Sequence, residues 1–426
     1  MASMPDREAL ARAEMDATHV GAATRRVLVL AFLAVLASGT AIERWAPAPP
    51  EAGYRPVQLH PPSAAEWVAA WRERGPRTVS RELRALLRRI DEWSEKDLSI
   101  GRRLRSPVQR FLLTRLRYGN AQVRAGRDGW LFYEPEIDAL TGPPFLDRGA
   151  TERTRLGDPE AVIRDLAADL RARGLGLALV PVPAKSAIEA ARLLGRRAPD
   201  AALHNPSCAE LARRLEPEGI VLFDPAPLLV EMARTGEPAY LRTDSHWRPE
   251  AVDRVAAAMA REIFARGVLP EPAAPRFRRT AEIRVGHPDL VRLLGLPIEG
   301  VGPLYEAVTV QVVRDLAGEI FVPSDALDAP ILLLGDSLAG NYGWGGQGYG
   351  SGAGLAEQLA FHLQTPVQAI LEPASGRLDS RERLADFVRH GHDPLVGKRL
   401  VILEFAEREL AIGPWRPARL PAVAPR

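Results

Sequence analysis

The sequence predicts an α/β fold: a mostly parallel sheet with helices on both faces. Three observations carry the expectation. From about residue 126 helical and strand signals alternate. The strands over 175–182, 331–335 and 400–405 are near-continuous apolar runs, as strands buried on both faces require. Reactive residue types follow the C-terminal ends of those runs, which is where an open α/β sheet places its chemistry.

The chain opens on a polar stretch, 1–26, expected to be a cytoplasmic tail. An apolar run starts at Val27 behind Arg25 and Arg26, and its apolar character extends to Ile42. Over 27–43 it reads as a transmembrane signal anchor or as a cleaved signal peptide, with the small residues Ala37, Ser38 and Gly39 as cleavage site. Both readings export the remainder of the chain: an inner-membrane, single-pass protein with a periplasmic domain, or a cleaved periplasmic one. The segment 44–62 is a proline-rich linker. The stretch 63–120 is arginine-rich with helical spacing, Leu83, Leu86, Leu87 and Ile90 marking one face, and reads as a helical stalk or accessory region.

The main domain is expected over 121–415, with a tail at 416–426. It begins at the turn Gly126–Gly129 and the aromatic run Trp130, Leu131, Phe132, Tyr133. The stretch 158–173 has helical spacing, an Asp158 cap and Pro159 in the first turn. After the strand at 175–182 come a helix at 207–215, a strand at 220–223 and an alanine-rich helix at 249–266. The segment 267–328 breaks the rhythm and reads as an insertion that walls a groove; Val308, Val310 and Val312 alternate with Thr309 and Gln311 in a half-buried strand. Beyond residue 331 the expected elements are a helix at 355–363, a strand at 367–371, a helix at 380–390 and a strand at 400–405.

Composition narrows the function classes. The 426 residues are 46% hydrophobic, enough for a sizeable core, and 56 basic against 54 acidic residues, with no long basic stripe with interleaved aromatics, argue against nucleic acid as a partner. The single cysteine, Cys208, excludes an intramolecular disulfide and a cysteine-rich metal site and reads as part of a helix start. No cofactor is expected. The glycine-rich stretch 343–354 lacks the lysine of a phosphate loop, and no strand leads into a dinucleotide fingerprint. His390, His392 and Asp393 read as a solvated helix end rather than a metal site, so no metal is expected.

The residues that carry chemistry are Ser337, Asp244 and His246. Ser337 ends the run Ile331 to Asp336 at a strand tip, where a helix start both caps and aims N–H groups at an oxyanion. A serine needs a base. Asp244 and His246, two apart in an extended segment, can face the same side, the carboxylate orienting the imidazole. The competing reading is a capping Asp244 beside a structural histidine. Asn341 is a second oxyanion donor or a polar residue at the helix start. Tyr342 and Trp344 are sugar-stacking faces or core, and Lys185 and Arg408 are substrate contacts at the sheet's active edge or structural ion pairs.

Together Gly335-Asp336-Ser337, Arg242-Thr243-Asp244-Ser245-His246-Trp247, Gly129-Trp130-Leu131-Phe132, Pro183-Ala184-Lys185, the run Ala353 to Leu359 and Glu407-Arg408 resemble the alginate O-acetyltransferase family of exported SGNH-hydrolase-like proteins. The resemblance covers about 126–412. It implies a three-layer α/β/α domain with a permuted triad order, acid and histidine preceding the serine. It also implies Ser337 as nucleophile, His246 as base and Asp244 as its orienter, with acetyl passing to hydroxyls of an exported polysaccharide. The implied partners are that polysaccharide acceptor and a multi-pass membrane O-acyltransferase that delivers acetyl groups. Two alternatives share the site: a carbohydrate acetylesterase, and a non-catalytic assembly factor of an exopolysaccharide export complex.

Overall fold

A computed structural model of the protein describes residues 99–296, 304–345, 347–373 and 379–421, with scattered positions nearer the N-terminus. The chain divides into two units, 1–110 and 111–426. The expected cytoplasmic tail, the linker and most of the anchor and stalk lie outside the described residues; 26–30 are helical and exposed. Among the described residues no helix is long and apolar enough to cross a membrane. Helix α1, Ser99–Leu116, closes the stalk region with the expected helical pattern.

The second unit starts with the hairpin of β1, Val123–Ala125, and β2, Leu131–Tyr133. Its turn needs left-handed backbone at Asp128 (φ 53°) and Gly129 (φ 77°), and glycine adopts that without a Cβ penalty. Helix α2, Pro159–Arg171, begins as its sequence dictates. Pro159 occupies the first turn and the Asp158 carboxylate accepts the Ala161 N–H at 3.2 Å, a cap worth about 1 kcal/mol. Strand β3, Gly176–Val182, helix α3, Ser207–Leu215, strand β4, Val221–Leu222, and helix α4, Pro249–Ala265, follow.

The insertion contributes an antiparallel ribbon of β5, Phe277–Val285, and β6, Ala307–Asp315. Val308, Val310 and Val312 of β6 are buried on the layer of α4 and the helix that follows the serine, as their alternation requires. Strand β5 has no comparable sequence signal. Its exposed residues include the apolar Ile283 (78%) and Val285, its charged Arg279, Glu282 and Arg284 are half-buried, and its conformation is set by pairing with β6. After the ribbon come β7, Ile331–Gly335, α5, Ser337–Gly340, α6, Leu355–Leu363, β8, Val367–Leu371, α7, Ser380–Arg389, β9, Leu400–Ala406, and α8, Arg408–Ile412.

The central sheet is parallel throughout, in the order β4-β3-β9-β7-β8. Side-chain alternation divides the core between its faces. Ile331 and Leu333 of β7 with Ile402 of β9 pack beneath α4 and α6. Leu332 and Leu334 with Leu403 pack against α2, α3 and α7. The result is the expected three-layer α/β/α arrangement of an SGNH-hydrolase-like domain. The boundary expected at 415 falls within packed chain: Leu420 is buried and its N–H donates to Asp169 of α2 at 2.9 Å. The last strand in sequence, β9, sits mid-sheet between β3 and β7, so the C-terminal ends of all three open onto one edge.

Candidate active site

Strand β7 is wholly buried and delivers Gly335, Asp336 and Ser337 to that edge. The turn is held by acids rather than by glycine freedom. Asp336 Oδ1 accepts the Leu338 N–H at 2.7 Å and Oδ2 accepts the Ala406 N–H at 3.0 Å, tying the serine turn to the end of β9. Glu404 of β9 accepts the Asp336 N–H at 3.0 Å. Burial, then the charge of Asp336, pushes the Glu404 carboxyl well above the usual range and favours its neutral form. These bonds use the N–H groups on either side of Ser337. Among the described residues its own N–H has no acceptor.

The histidine comes from a tight turn before α4, not from the extended segment its two-residue spacing suggests. Leu241 N–H donates to His246 O at 3.1 Å and Arg248 N–H to Ala239 O at 2.8 Å. The turn lets one atom, Asp244 Oδ1, take both the His246 N–H (2.9 Å) and the ring Nδ1 (2.6 Å). Trp247, fully buried, donates its indole N–H to Leu338 O at 2.9 Å and so docks the histidine turn onto the serine helix. Burial works against the charged imidazole, but the Asp244 carboxylate, with Asp289 and Asp336 behind it, outweighs this and moves the His246 pKa upward. Burial likewise opposes the Asp244 charge, and His246 with the N–H donors holds that carboxyl below its ordinary value.

Ser337 and His246 line one open cavity of ≈ 630 Å³, with Ser245, Asp289, Trp344 and Arg408. Asp289 carries no signal in the sequence; the fold brings it in from the short helix Asp289–Leu293 of the insertion. Thus the insertion does wall the groove, through this helix. Asp289 accepts the Ser245 N–H at 2.8 Å and the Ser245 hydroxyl, and its own N–H donates to Asp244 Oδ2 at 3.2 Å. Its second oxygen lies 3.9 Å from His246 Nδ1. Burial and the neighbouring Asp244 push the Asp289 carboxyl up to about 6. Asp244, His246 and Asp289 lie close enough to share a metal ion. Asp244 engages the ring nitrogen that faces the acids at 2.6 Å.

The remaining candidates separate. Arg408 lines the cavity, held by Glu136 at 2.6 Å. Lys185 does not; it is fully buried, and its ammonium donates to the carbonyls of Leu131 (2.6 Å), Arg242 (2.9 Å) and Asp244 (2.9 Å). It is a strut beneath the histidine turn, and burial pulls its pKa down to about 8. Tyr342 is also core: fully buried, with its hydroxyl donating to Trp247 O at 2.8 Å, it presents no face to a sugar. Asn341, past the end of α5, is turned into the core and does not line the cavity, and its amide has no partner among the described residues. Trp344 is the aromatic residue of the glycine-rich loop on the cavity wall. His390 bonds to Asp386 O at 2.8 Å and Asp393 pairs with Arg173 at 2.6 Å, so they do not converge.

The family described as "SGNH hydrolase-like domain, acetyltransferase AlgX" matches residues 123–407. A Pseudomonas aeruginosa protein named "Probable alginate O-acetylase AlgJ" is 32% identical over 180 residues, 42% of each chain. A Pseudomonas fluorescens protein of the same name is 27% identical over 236 residues, 53% of this chain and 55% of that one. The chain thus spans about half the length of the curated relatives it matches. Among solved structures, the O-acetyltransferase domain of Pseudomonas putida AlgJ aligns with 68% of this chain and 92% of that one, at 23% identity and a TM-score of 0.49.

Proposed function

The chain belongs to the family of SGNH-hydrolase-like domains of the AlgX acetyltransferase type, and on that premise we propose that it moves an acetyl group through Ser337 onto hydroxyls of an exported polysaccharide. The observation that carries the reading is one cavity holding both Ser337 and a buried, hydrogen-bonded Asp244–His246 pair. Ser337 Oγ attacks the acetyl carbonyl of the donor, and its proton passes to the free Nε2 of His246. Asp244 holds Nδ1–H and stabilises the imidazolium. The Ser337 N–H, unspent in the turn, donates to the oxyanion. Collapse returns the proton to the leaving group and leaves an acetyl ester on Ser337. A sugar hydroxyl then gives its proton to His246, attacks the ester and departs acetylated, and Ser337 regains the proton.

Trp344 offers a ring to a sugar face at the cavity wall, and Arg408 places positive charge beside it. The curated relatives are named for alginate, which makes an exported, uronate-rich polymer the first acceptor to try. The apolar run after Arg25 and Arg26 supports a periplasmic domain on an inner-membrane anchor, fed by a multi-pass membrane O-acyltransferase. The test is intact-mass analysis of the full chain incubated with p-nitrophenyl acetate, alone and with uronate oligosaccharides, beside Ser337→Ala. An acetyl adduct on the wild type alone, transferred to the oligosaccharide, is the expected result. Release only as free acetate identifies an esterase, and a folded protein without adduct or turnover points to an assembly role.

A further inference from the structure

We propose that His204, Cys208 and Glu407 form a binding site for a divalent cation of the zinc type, separate from the serine site. His204 and Cys208 lie four residues apart across the start of α3, and Glu407 is the first residue beyond β9. The imidazole Nδ1, the thiol sulfur and the carboxylate all lie within 4.8 Å of one another. Nδ1 is 2.7 Å from Glu407 Oε2, and the sulfur is 3.4 Å from Oε1. Zinc bonds of about 2.0–2.3 Å in tetrahedral geometry put ligand atoms roughly 3.3–3.7 Å apart, so the sulfur–carboxylate contact already fits, the His204–Glu407 contact has to spread, and the sulfur and Nδ1, within 4.8 Å, have to settle to that spacing.

One nitrogen, one sulfur and one oxygen suit a borderline cation rather than magnesium or calcium. The site sits on a cavity of ≈ 390 Å³ between α3 and the sheet, which gives an ion a route in. A water fills the fourth position, and Asp224 lines the same cavity with Oδ1 accepting the Ala226 N–H at 2.9 Å. The ligand backbones are already fixed: Cys208 N–H donates to Asn205 O at 2.9 Å and Glu407 N–H to Val182 O at 2.8 Å.

A cysteine nucleophile would fit the residue types but not the arrangement. That chemistry needs the thiol on the imidazole. Here both turn to the same carboxylate, at 2.7 Å and 3.4 Å, and burial, then Glu407, raises the thiol pKa. A cation reverses this: binding releases the Cys208 proton to solvent, together with the Nδ1 proton of His204 when it is carried. An ion here would also pin the residue next to Arg408, which lines the serine cavity.

The experiment is titration of the metal-stripped full chain with Co²⁺ and Zn²⁺, beside Cys208→Ser, His204→Asn and Glu407→Gln. Expected are about one bound equivalent, a thiolate-to-cobalt charge-transfer band absent from Cys208→Ser, and a Zn²⁺-dependent rise in unfolding temperature. Each variant should bind more than about tenfold more weakly. The His204 side chain is 31% accessible, so its variant keeps the test open if Cys208→Ser does not fold. No charge-transfer band at saturating Co²⁺ overturns the proposal. So does binding that survives all three variants, or that is lost only in Asp289→Asn, which would put the ion at the Asp244–His246–Asp289 cluster.

Discussion

Asp289→Asn isolates the electrostatics of the proposed base. The second oxygen of Asp289 lies 3.9 Å from His246 Nδ1. A full charge at that distance stabilises the imidazolium by about 1 kcal/mol in water and about 4 kcal/mol at an effective dielectric near 20. At about 1.4 kcal/mol per pH unit this is roughly 1 to 3 units of His246 pKa. Two Ser245 donors already take up part of the carboxylate's charge, so a shift of about one unit is the expected size. Asp289 loses its proton at about 6, below the raised His246 pKa, and is therefore charged where His246 titrates. The assay is kcat/KM for p-nitrophenyl acetate between roughly pH 5 and 9. The acid limb should lie above the ordinary histidine value of about 6.5 in the wild type and about one unit lower in Asp289→Asn. A limb unmoved, or moved upward, in a folded variant refutes the reasoning.

The same variant tests a stability effect: a carboxyl near 3.8 when unfolded and about 6 when folded binds its proton more tightly in the native state. Stability from this group is present at low pH and falls as pH rises from about 4 to about 6, so Asp289→Asn should flatten that slope in thermal melts. Asp244→Asn should lower turnover about 10⁴-fold with little change in melting temperature, because the imidazole is left in the wrong tautomer; a loss under tenfold would deny Asp244 its role. Lys185→Met removes the donor to three carbonyls, of which Arg242 O keeps the Leu131 N–H, and should cost about 2 kcal/mol in urea unfolding; a neutral result would show that water replaces the strut. Glu404→Gln keeps an oxygen acceptor for the Asp336 N–H and matches the neutral acid that burial and Asp336 favour, so stability should change by less than about 1 kcal/mol; a larger loss would show that the charged form supports the turn.

Local chemistry wrote much of this molecule into the sequence. The Asp158 cap, the apolar runs of β3, β7 and β9 and the valine alternation of β6 each concern neighbours a few residues apart, and they set the element types and the layered fold. Ser337 at a strand tip was legible for the same reason, and Asp244 and His246 as close neighbours, although a tight turn rather than the extended segment suggested by their spacing joins them. Strand β5 was not legible, since its extended form comes from its partner. Long-range packing decided the rest. The insertion of β9 between β3 and β7 unites strand ends from distant parts of the chain. Trp247 binding Leu338 brings the histidine turn onto the serine helix. Burial turned Lys185, Asn341 and Tyr342 from candidate substrate contacts into interior groups, and it brought Asp289 to His246 and Glu407 to His204 and Cys208. Such pairings depend on how surfaces fit after the layers stack, which no local spacing encodes.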